Sequence, residues 1–248
     1  MNQLLEANPL VFYNVAGIGA FIGFYFLLRN RSIRAKMIFL YTWCIGGILV
    51  LAVYLTLQFF IYKEHPLTLF PLHLCYLSLI FTLIALKTKI KVFFDFIFYI
   101  SLLGALFAII FPSIDYIDGM FSLFTVTYFL LHYHVVAFPL WLFAWRIYSP
   151  KISLKKTFVL VGVLLSLDTI MYLFNTLLIK NDIPKANYFW TMMENGSYNN
   201  TLLAFFARLI PYDFVYMLPC IFILCIYIGA WNIPIFLKNV LLSKKQYQ

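Results

Sequence analysis

A thiol and several imidazoles stand inside stretches of sequence that are otherwise apolar. Cys75 follows His73 within the motif PLHLC at residues 71–75, and His132 and His134 lie in a separate apolar run. A cysteine attacks an ester carbonyl as its thiolate, and a neighbouring imidazole can take the proton that the thiol gives up. The acyl group is then held as a thioester and passed to water or to another hydroxyl. These residue types therefore predict a cysteine–histidine couple for acyl transfer or ester hydrolysis.

The same residues also have a structural interpretation. A single membrane cysteine is more often a packing residue, and a membrane histidine more often hydrogen-bonds a neighbouring helix. His132 and His134 are two residues apart, so they point about 200° apart on a helix and cannot both face one site. One of them is therefore expected to be structural, and the sequence leaves open which of the two is the base.

Other polar residues in or beside the apolar runs are candidates for the same site, because polar groups are costly in a membrane. Asp168 lies near the middle of an apolar run and could orient a histidine. Asn175, further along that run, could donate an amide N–H to the substrate. Tyr128 flanks the histidines, and packing is its favoured interpretation. Arg208 could bind a lipid phosphate through two parallel hydrogen bonds, and pairing with Asp213 is an equal alternative.

The chain that must position these residues is far more apolar than a soluble protein. Of its 248 residues, 64% are hydrophobic and 11% are charged, whereas soluble domains carry about 25% charged residues. So few charges could not cover a water-soluble fold of this size, and the apolar surface must face lipid. The net charge of +9 does not indicate nucleic acid, because the basic residues lie in short loops where they contact anionic headgroups.

Seven runs are long enough to cross a bilayer, which takes about 20 apolar residues per helix. The sequence therefore predicts an all-α, polytopic bundle of seven transmembrane helices in a single membrane domain over residues 1–248. The first run is expected to remain in the protein, because MNQLLEAN ahead of it lacks the basic residues that open a signal peptide. The seven runs are 9–28, 36–62, 67–86, 92–112, 119–146, 156–180 and 210–237.

Charged residues alternate between the two sides of this predicted bundle. Fourteen of the 18 basic residues follow the first, third, fifth and seventh runs. Since basic loops mark the cytoplasm, the N-terminus is expected outside and the C-terminus inside a cell membrane. The fourteen are Arg29, Arg31, Arg34, Lys36, Lys87, Lys89, Lys91, Arg146, Lys151, Lys155, Lys156, Lys238, Lys244 and Lys245. The other side carries the acidic residues Glu6, Glu64, Asp115, Asp118, Asp182, Glu194 and Asp213.

The longest connection, residues 181–209, lies on the predicted outer side. Asn-Gly at 195–196 is a turn signal, and the stretch 201–209 is apolar with one basic residue, which predicts a helix lying flat at the outer interface. Counting from the outer ends of the runs, Cys75 lies roughly 12 Å deep and His132 roughly 16–20 Å deep. The thiol and the imidazole are therefore expected at similar depths in the outer half of the bundle.

The motif at residues 71–75 resembles that of the YwaF family of bacterial integral membrane proteins, in which Pro-Leu-His-Leu-Cys opens a transmembrane helix. Further points of resemblance are a histidine followed by Pro139 in the fifth run, and Asn187-Tyr188 ahead of a polar outer loop and a last helix opened by Pro211. That family has eukaryotic relatives that act as transmembrane phospholipid acyltransferases. More distantly, it is related to androgen-induced membrane hydrolases of fatty-acid esters.

The resemblance implies a membrane acyltransferase or esterase of a bacterial plasma membrane that acts on a phospholipid or lysolipid through cysteine and histidine. No cofactor and no metal are expected. Carried over residue by residue, Cys75 is the nucleophile and His132 is the general base, with His134 in reserve. His73 supports the site. This sequence departs from the family pattern in having two histidines where one is expected, and Asp168 has no counterpart in that pattern. The oligomeric state is left open.

Two other functions compete with acyl transfer. A metal-dependent membrane hydrolase could use His65, His73, Cys75 and His132 as zinc ligands, although they lack the usual i, i+4 spacing. A transporter or solute-binding membrane subunit could use Asp168 and the histidines as a polar path. Against transport, the sequence has no inverted repeat and no pair of broken helices.

Overall fold

The computed structural model describes residues 9–112, 119, 121–183, 186–193 and 201–246. Within these ranges every regular element is helical and no β-strand occurs, so the predicted all-α class is confirmed there. The predicted turn at Asn195-Gly196 lies outside the described residues, as do Glu6, Asp115, Asp118 and Glu194. The described α-helices are α1 (Pro9–Leu28), α2 (Ile33–Phe60), α3 (Leu74–Thr88), α4 (Lys91–Ile110), α5 (Leu123–Ala144), α6 (Leu154–Lys180), α7 (Thr201–Leu209) and α8 (Leu218–Gln246).

Six helical segments are long and apolar enough to cross a membrane, namely α1, α2, α4, α5, α6 and Val215–Ile233, which combines a 3₁₀ turn with the first part of α8. The third predicted run is helical over only part of its length. A 3₁₀ turn at Pro66–Thr68 and an extended stretch precede α3, because Pro66 and Pro71 disfavour helical backbone in the residue before each of them. The 15 residues of α3 span about 22 Å, against about 30 Å for the hydrocarbon core.

Three basic loops meet at one end of the bundle, which we call the basic end. Lys91 Nζ donates a hydrogen bond to the Lys151 carbonyl at 2.9 Å. Lys36 lies with its Nζ 5.9 Å from the centroid of the Trp145 ring. Lys91 also pairs with Asp95, with 3.8 Å between Nζ and Oδ1. The loops of the basic end are residues 29–36, 87–91 and 146–156.

The other ends of these helices are joined by longer segments, and we call this the looped end. Phe214 N–H donates to the Thr191 carbonyl at 2.8 Å. Phe214 also has a φ of 63°, a left-handed value that interrupts a helix. The last helix therefore begins at Leu218, after a 3₁₀ turn at Val215–Met217, and Pro211 precedes it rather than opening it. The looped end comprises residues 61–73, 181–193 and 210–217, with their gap at 184–185.

The central helix of the bundle is α5, which packs against α1, α2, α3 and α4. Its partner α4 contains a π-helical segment, Ile97–Ser101, in which every residue is buried. Such segments are frequent at functional sites. The Ser101 and Ser78 hydroxyls are 2.7 Å apart, which joins α4 to α3 beside this segment.

The short helix α7 occupies the stretch for which an interfacial helix is predicted. Leu203, Phe206 and Ala207 are buried against the bundle, whereas Phe205 and Leu209 are exposed. One side of α7 therefore packs inward and another carries large apolar side chains outward. Its position at a membrane surface stays a prediction.

Candidate functional site

Residues from seven helices, α2 to α8, and from the turn at Phe189 and Trp190 line one cavity of about 210 Å³. The start of α3 contributes His73 and Cys75, α5 contributes His132, α6 contributes Asp168 and α8 contributes Cys220. Polar side chains that the sequence predicts on different helices therefore share one space. The rest of the lining is Tyr54, Leu74, Tyr76, Ile100, Leu103, Gly104, Phe107, Ala108, Tyr128, Leu131, Leu164, Phe189, Trp190, Leu202, Leu203, Met217, Ile221 and Leu224.

The motif at residues 71–75 forms the start of α3. His73 is the N-cap, and its carbonyl accepts hydrogen bonds from the N–H groups of Tyr76 and Leu77 at 2.9 and 3.0 Å. Cys75 is the second residue of the helix. The N–H groups of Leu74 and Cys75 donate to no described residue. Free N–H groups and the helix dipole favour negative charge at this point, such as that of a thiolate or an oxyanion.

The His73 ring packs among aromatic side chains at the N-terminal end of α3. Its centroid lies 5.1 Å from that of Tyr188 and 5.3 Å from that of Tyr76. Trp190 is next, at 6.5 Å. His73 and His132 both line the cavity. The two imidazoles therefore share one space.

His132 has a defined tautomer within α5. Its Nδ1 lies 2.7 Å from the Tyr128 carbonyl. A carbonyl only accepts, so Nδ1 must carry the proton and Nε2 must carry the lone pair. Nε2 makes no hydrogen bond to a described residue. The Tyr128 hydroxyl donates to the Ala108 carbonyl at 2.8 Å, so Tyr128 supports His132 while its own hydroxyl bonds the backbone of α4.

His134 lies on the opposite face of α5, against α2. Its Nδ1 is 2.7 Å from the Leu130 carbonyl, and its ring stacks on Trp43 with 4.2 Å between centroids. Trp43 Nε1 in turn donates to the His134 carbonyl at 3.2 Å. His134 does not line the cavity. The orientation of α5 about its axis thus places His132 in the cavity lining and His134 in contact with α2.

Asn175, predicted as a donor to substrate, instead binds the chain at the looped end. The side chain is 0% exposed. Its Nδ2 donates to the Tyr188 carbonyl at 2.9 Å and to Thr191 Oγ1 at 2.8 Å, and its Oδ1 accepts the Tyr188 N–H at 2.9 Å. Between these partners, Phe189 and Trp190 have φ values of 57° and 58°, which bulky residues rarely adopt. Asn175 therefore holds a strained turn whose two aromatic rings line the cavity.

Tyr188 connects that turn to the segment before α3. Its hydroxyl accepts the Phe70 N–H at 3.0 Å and donates to the Leu67 carbonyl at 2.8 Å. Burial raises the pKa of Tyr188 to about 12, against the smaller opposing effect of the Phe70 N–H. The hydroxyl therefore keeps its proton at neutral pH and can sustain both bonds. The sequence offers no local signal for these hydrogen bonds, because the two partners of Tyr188 lie 118 and 121 residues before it in the chain.

Asp168 of α6 and Cys220 of α8 also line the cavity. The Asp168 side chain is 5% exposed and has no hydrogen bond or ion pair with a described residue. Cys220 lies near enough for a charge on Asp168 to act on its thiol. The sequence did not single out Cys220 as a site residue. Like Cys44 and Cys225, it lies in an apolar run without a recognisable motif around it. Of these, Cys44 is buried with its Sγ 3.7 Å from the Leu79 carbonyl, and Cys225 is exposed.

Arg208 lies in the last turn of α7 and is exposed. The predicted alternative, an ion pair with Asp213, is not formed. The Asp213 carboxylate accepts the Met193 N–H at 2.7 Å instead. Across the described ranges the recorded ion pair is Lys91–Asp95 at the basic end. The Arg208 guanidinium is therefore not held by a carboxylate of the described chain.

Among the described residues, no group of three or more His, Cys, Asp or Glu lies close enough to hold a metal ion. His65, one of four zinc ligands considered from the sequence, caps the 3₁₀ turn that follows it. Its Nδ1 accepts the Leu67 N–H at 3.2 Å. The other three residues considered for a zinc site, His73, Cys75 and His132, line the cavity without forming such a group, and His65 is not part of the lining.

Comparison with known proteins gives a family and nothing narrower. No curated protein and no solved structure matches the chain. A model of the TMEM164 family matches residues 6–232, which is nearly the whole chain. With membrane-crossing helices throughout that range, the chain belongs to the TMEM164 family of transmembrane proteins.

Proposed function

We propose that this protein is a membrane-embedded acyltransferase or esterase that acts on phospholipid acyl chains, with Cys75 as nucleophile and His132 as general base. The observation that carries the proposal is their shared cavity, into which His132 brings a ring whose Nε2 has the lone pair. The likeness of the motif at residues 71–75 to that of the YwaF family supports the same reaction. His134 receives no part in it, because its ring is stacked on Trp43.

The first half of the reaction forms an acyl-enzyme. The Cys75 proton passes to Nε2 of His132, and the sulfur bonds to the ester carbonyl carbon. The carbonyl oxygen gains negative charge, which the free N–H groups of Leu74 and Cys75 can stabilise. The bond to the lipid alcohol then breaks, and His132 returns the proton to the departing oxygen. The acyl chain remains on Cys75 as a thioester.

The second half releases the chain to an acceptor, either water or the hydroxyl of a lysolipid. The acceptor oxygen bonds to the thioester carbon as its proton leaves to a base, and the carbon–sulfur bond breaks. The thiolate then regains a proton, which restores the resting site. In this scheme His73 and Tyr128 hold the site, and Arg208 binds a lipid phosphate.

The proposal includes a seven-span topology, in which α3 crosses the membrane in addition to the six long helical segments. The N-terminus is then outside and the C-terminus in the cytoplasm of a bacterial cell. The loops at 61–73 and 87–91 belong to opposite ends of the bundle, which supports passage of the chain through α3. The basic end is then cytoplasmic by the positive-inside rule. The cavity residues His73 and Cys75 would face the outer leaflet, where a lipid ester is within reach.

The test is capture of the thioester in vesicles that contain a phospholipid with a labelled acyl chain. Wild-type protein should acquire label that hydroxylamine removes, and Cys75→Ala should acquire none. Cys225→Ala is the matched control, because Cys225 is exposed and does not line the cavity, and it should label like wild type. Unchanged labelling of Cys75→Ala would overturn the proposal.

A transporter or solute-binding subunit is the competing function, and Asp168 in the cavity is the observation that favours it. The same purified protein in sealed vesicles distinguishes the two. Solute flux that depends on Asp168 and survives Cys75→Ala would replace the enzyme with a transporter.

A further inference from the structure

Asp168 is a buried carboxyl group that lines the cavity and has no partner among the described residues. It is 5% exposed, and no described residue gives it a hydrogen bond or an ion pair. Asn175, about two turns further along α6, uses both of its amide atoms in hydrogen bonds to the protein. Both side chains are buried, but Asn175 is hydrogen-bonded to described residues and Asp168 is not.

A buried acceptor without a donor raises the free energy of a protein, and a ligand that donates a hydrogen bond lowers it again. Carboxyl oxygens accept hydrogen bonds, so the fitting ligand group carries an O–H or N–H. Lining residues such as Leu164, Leu203 and Met217 are apolar and cannot orient such a group. α6 contributes Leu164 and Asp168 to the lining, and of these two the Asp168 carboxyl is the group that can accept the hydrogen bond.

The proposed reaction already calls for an O–H group in this cavity. After the acyl chain is on Cys75, the acceptor must approach the thioester from the part of the cavity that Cys75 and His132 do not occupy. Those two residues come from α3 and α5, whereas Asp168 comes from α6. We propose that Asp168 binds the hydroxyl of a lysolipid acceptor and takes its proton during transfer. This inference rests on the proposed function and deepens it, because it selects transfer to a lipid alcohol over hydrolysis.

The step balances. The acceptor O–H donates to the Asp168 carboxylate, and its oxygen bonds to the thioester carbonyl carbon while its proton moves to the carboxylate. The carbon–sulfur bond breaks and leaves the electron pair on the Cys75 sulfur. The proton then passes from Asp168 to that thiolate through His132. One new ester, one free thiol and one carboxylate result.

A two-stage experiment separates the halves of the reaction. Protein in vesicles is first acylated from a labelled phospholipid, and a lysolipid is then added. The label that leaves Cys75 is sorted into diacyl lipid and free fatty acid. Asp168→Asn keeps the shape of the side chain and removes the carboxylate. We expect its thioester to form as in wild type and its transfer to lysolipid to slow about 100-fold, so that free fatty acid becomes the main product.

The matched control is Ser166→Ala, because Ser166 is exposed on the same helix and its hydroxyl donates to the Gly162 carbonyl. It should leave both stages unchanged. Transfer by Asp168→Asn at the wild-type rate overturns the inference, and so does an equal loss in both stages, which would make Asp168 structural. If wild-type protein forms no thioester, the proposed function itself fails, and that result is distinct from both.

Two further measurements keep the inference testable if Asp168→Asn does not fold. Asp168→Ser is a smaller polar replacement that should show the same selective loss of transfer. In wild-type protein, a lysolipid whose acceptor hydroxyl is replaced by hydrogen should compete poorly with the natural lysolipid. Equal competition by this deoxy lipid overturns a role for Asp168 in binding the hydroxyl.

Discussion

The two faces of α5 carry the same side chain in the same local geometry, and yet they meet different surroundings. His132 and His134 each place Nδ1 2.7 Å from the carbonyl four residues earlier. Each therefore has a protonated Nδ1 and a lone pair on Nε2. His132 then faces a cavity that it shares with Cys75, whereas His134 faces α2 and stacks on Trp43.

The difference shows that the opposing helix decides what an imidazole can do. α2 offers Gly46 and Gly47, which let the two helices approach closely. A Cβ atom at Gly47 would lie 3.1 Å from Cδ2 of His134, so that face has no room for a substrate. α3 instead offers its N-terminus and the Cys75 thiol. The same imidazole is thus a packing group on one face and a candidate base on the other.

The largest expected effect comes from exchanging the base. His132→Gln removes the ring nitrogen that takes the Cys75 proton, so thioester formation should slow by about 10²- to 10⁴-fold. The rate of label transfer from phospholipid to Cys75 measures this directly. His134→Gln makes the same chemical change on the other face, and it should leave the rate per folded molecule unaltered. Equal losses in the two variants would remove the distinction between the faces.

The long helices were accessible from the sequence, because length and hydropathy alone mark a membrane-crossing helix. Six of the seven predicted runs contain such a helix. The exception is the third run, where two prolines delay the start of α3 until Leu74. The last helix also begins later than Pro211 predicts, because its start is set by contacts of Phe214 with a distant loop.

The candidate site was accessible only in part. The motif at residues 71–75 indicated His73 and Cys75. Because His132 and His134 point about 200° apart on a helix, only one of them was expected to face the site. The choice of His132 required the rotation of α5 against α2, which depends on the fit at Gly47. The hydrogen bonds of Asn175 reach residues 13 and 16 positions away in a loop, and helical periodicity carries no information about such partners.

A smaller effect is expected from the turn that supports the cavity face. Asn175→Ala removes three hydrogen bonds, leaves the Tyr188 N–H buried without its acceptor, and leaves the Tyr188 carbonyl with only the 3.4 Å bond from the Thr191 hydroxyl. The free energy of unfolding should fall by about 1–3 kcal/mol, and thioester formation should slow because Tyr188 no longer fixes His73. Thermal unfolding in detergent and the labelling rate measure the two effects.

Asn181→Ala is the matched control for this change. Asn181 follows α6 and is exposed, and its Nδ2 donates to the Leu177 carbonyl of its own helix at 2.7 Å. We expect neither property to change in this variant. Comparable losses in Asn175→Ala and Asn181→Ala would show that the turn does not depend on the buried amide.

The smallest expected effect concerns the packing face itself. His134→Phe keeps an aromatic ring against Trp43 and loses the Nδ1–H bond to the Leu130 carbonyl, which should cost about 0.6 kcal/mol, as for other hydrogen bonds within membrane proteins. His134→Ala also loses the ring contact, which adds about 0.5–1.5 kcal/mol. The unfolding temperature should therefore be highest for wild type, lower for His134→Phe and lowest for His134→Ala. Labelling of Cys75 per folded molecule should be equal in all three proteins. If the Phe variant instead folds normally and fails to label, His134 takes part in the reaction, and the two faces of α5 share one function.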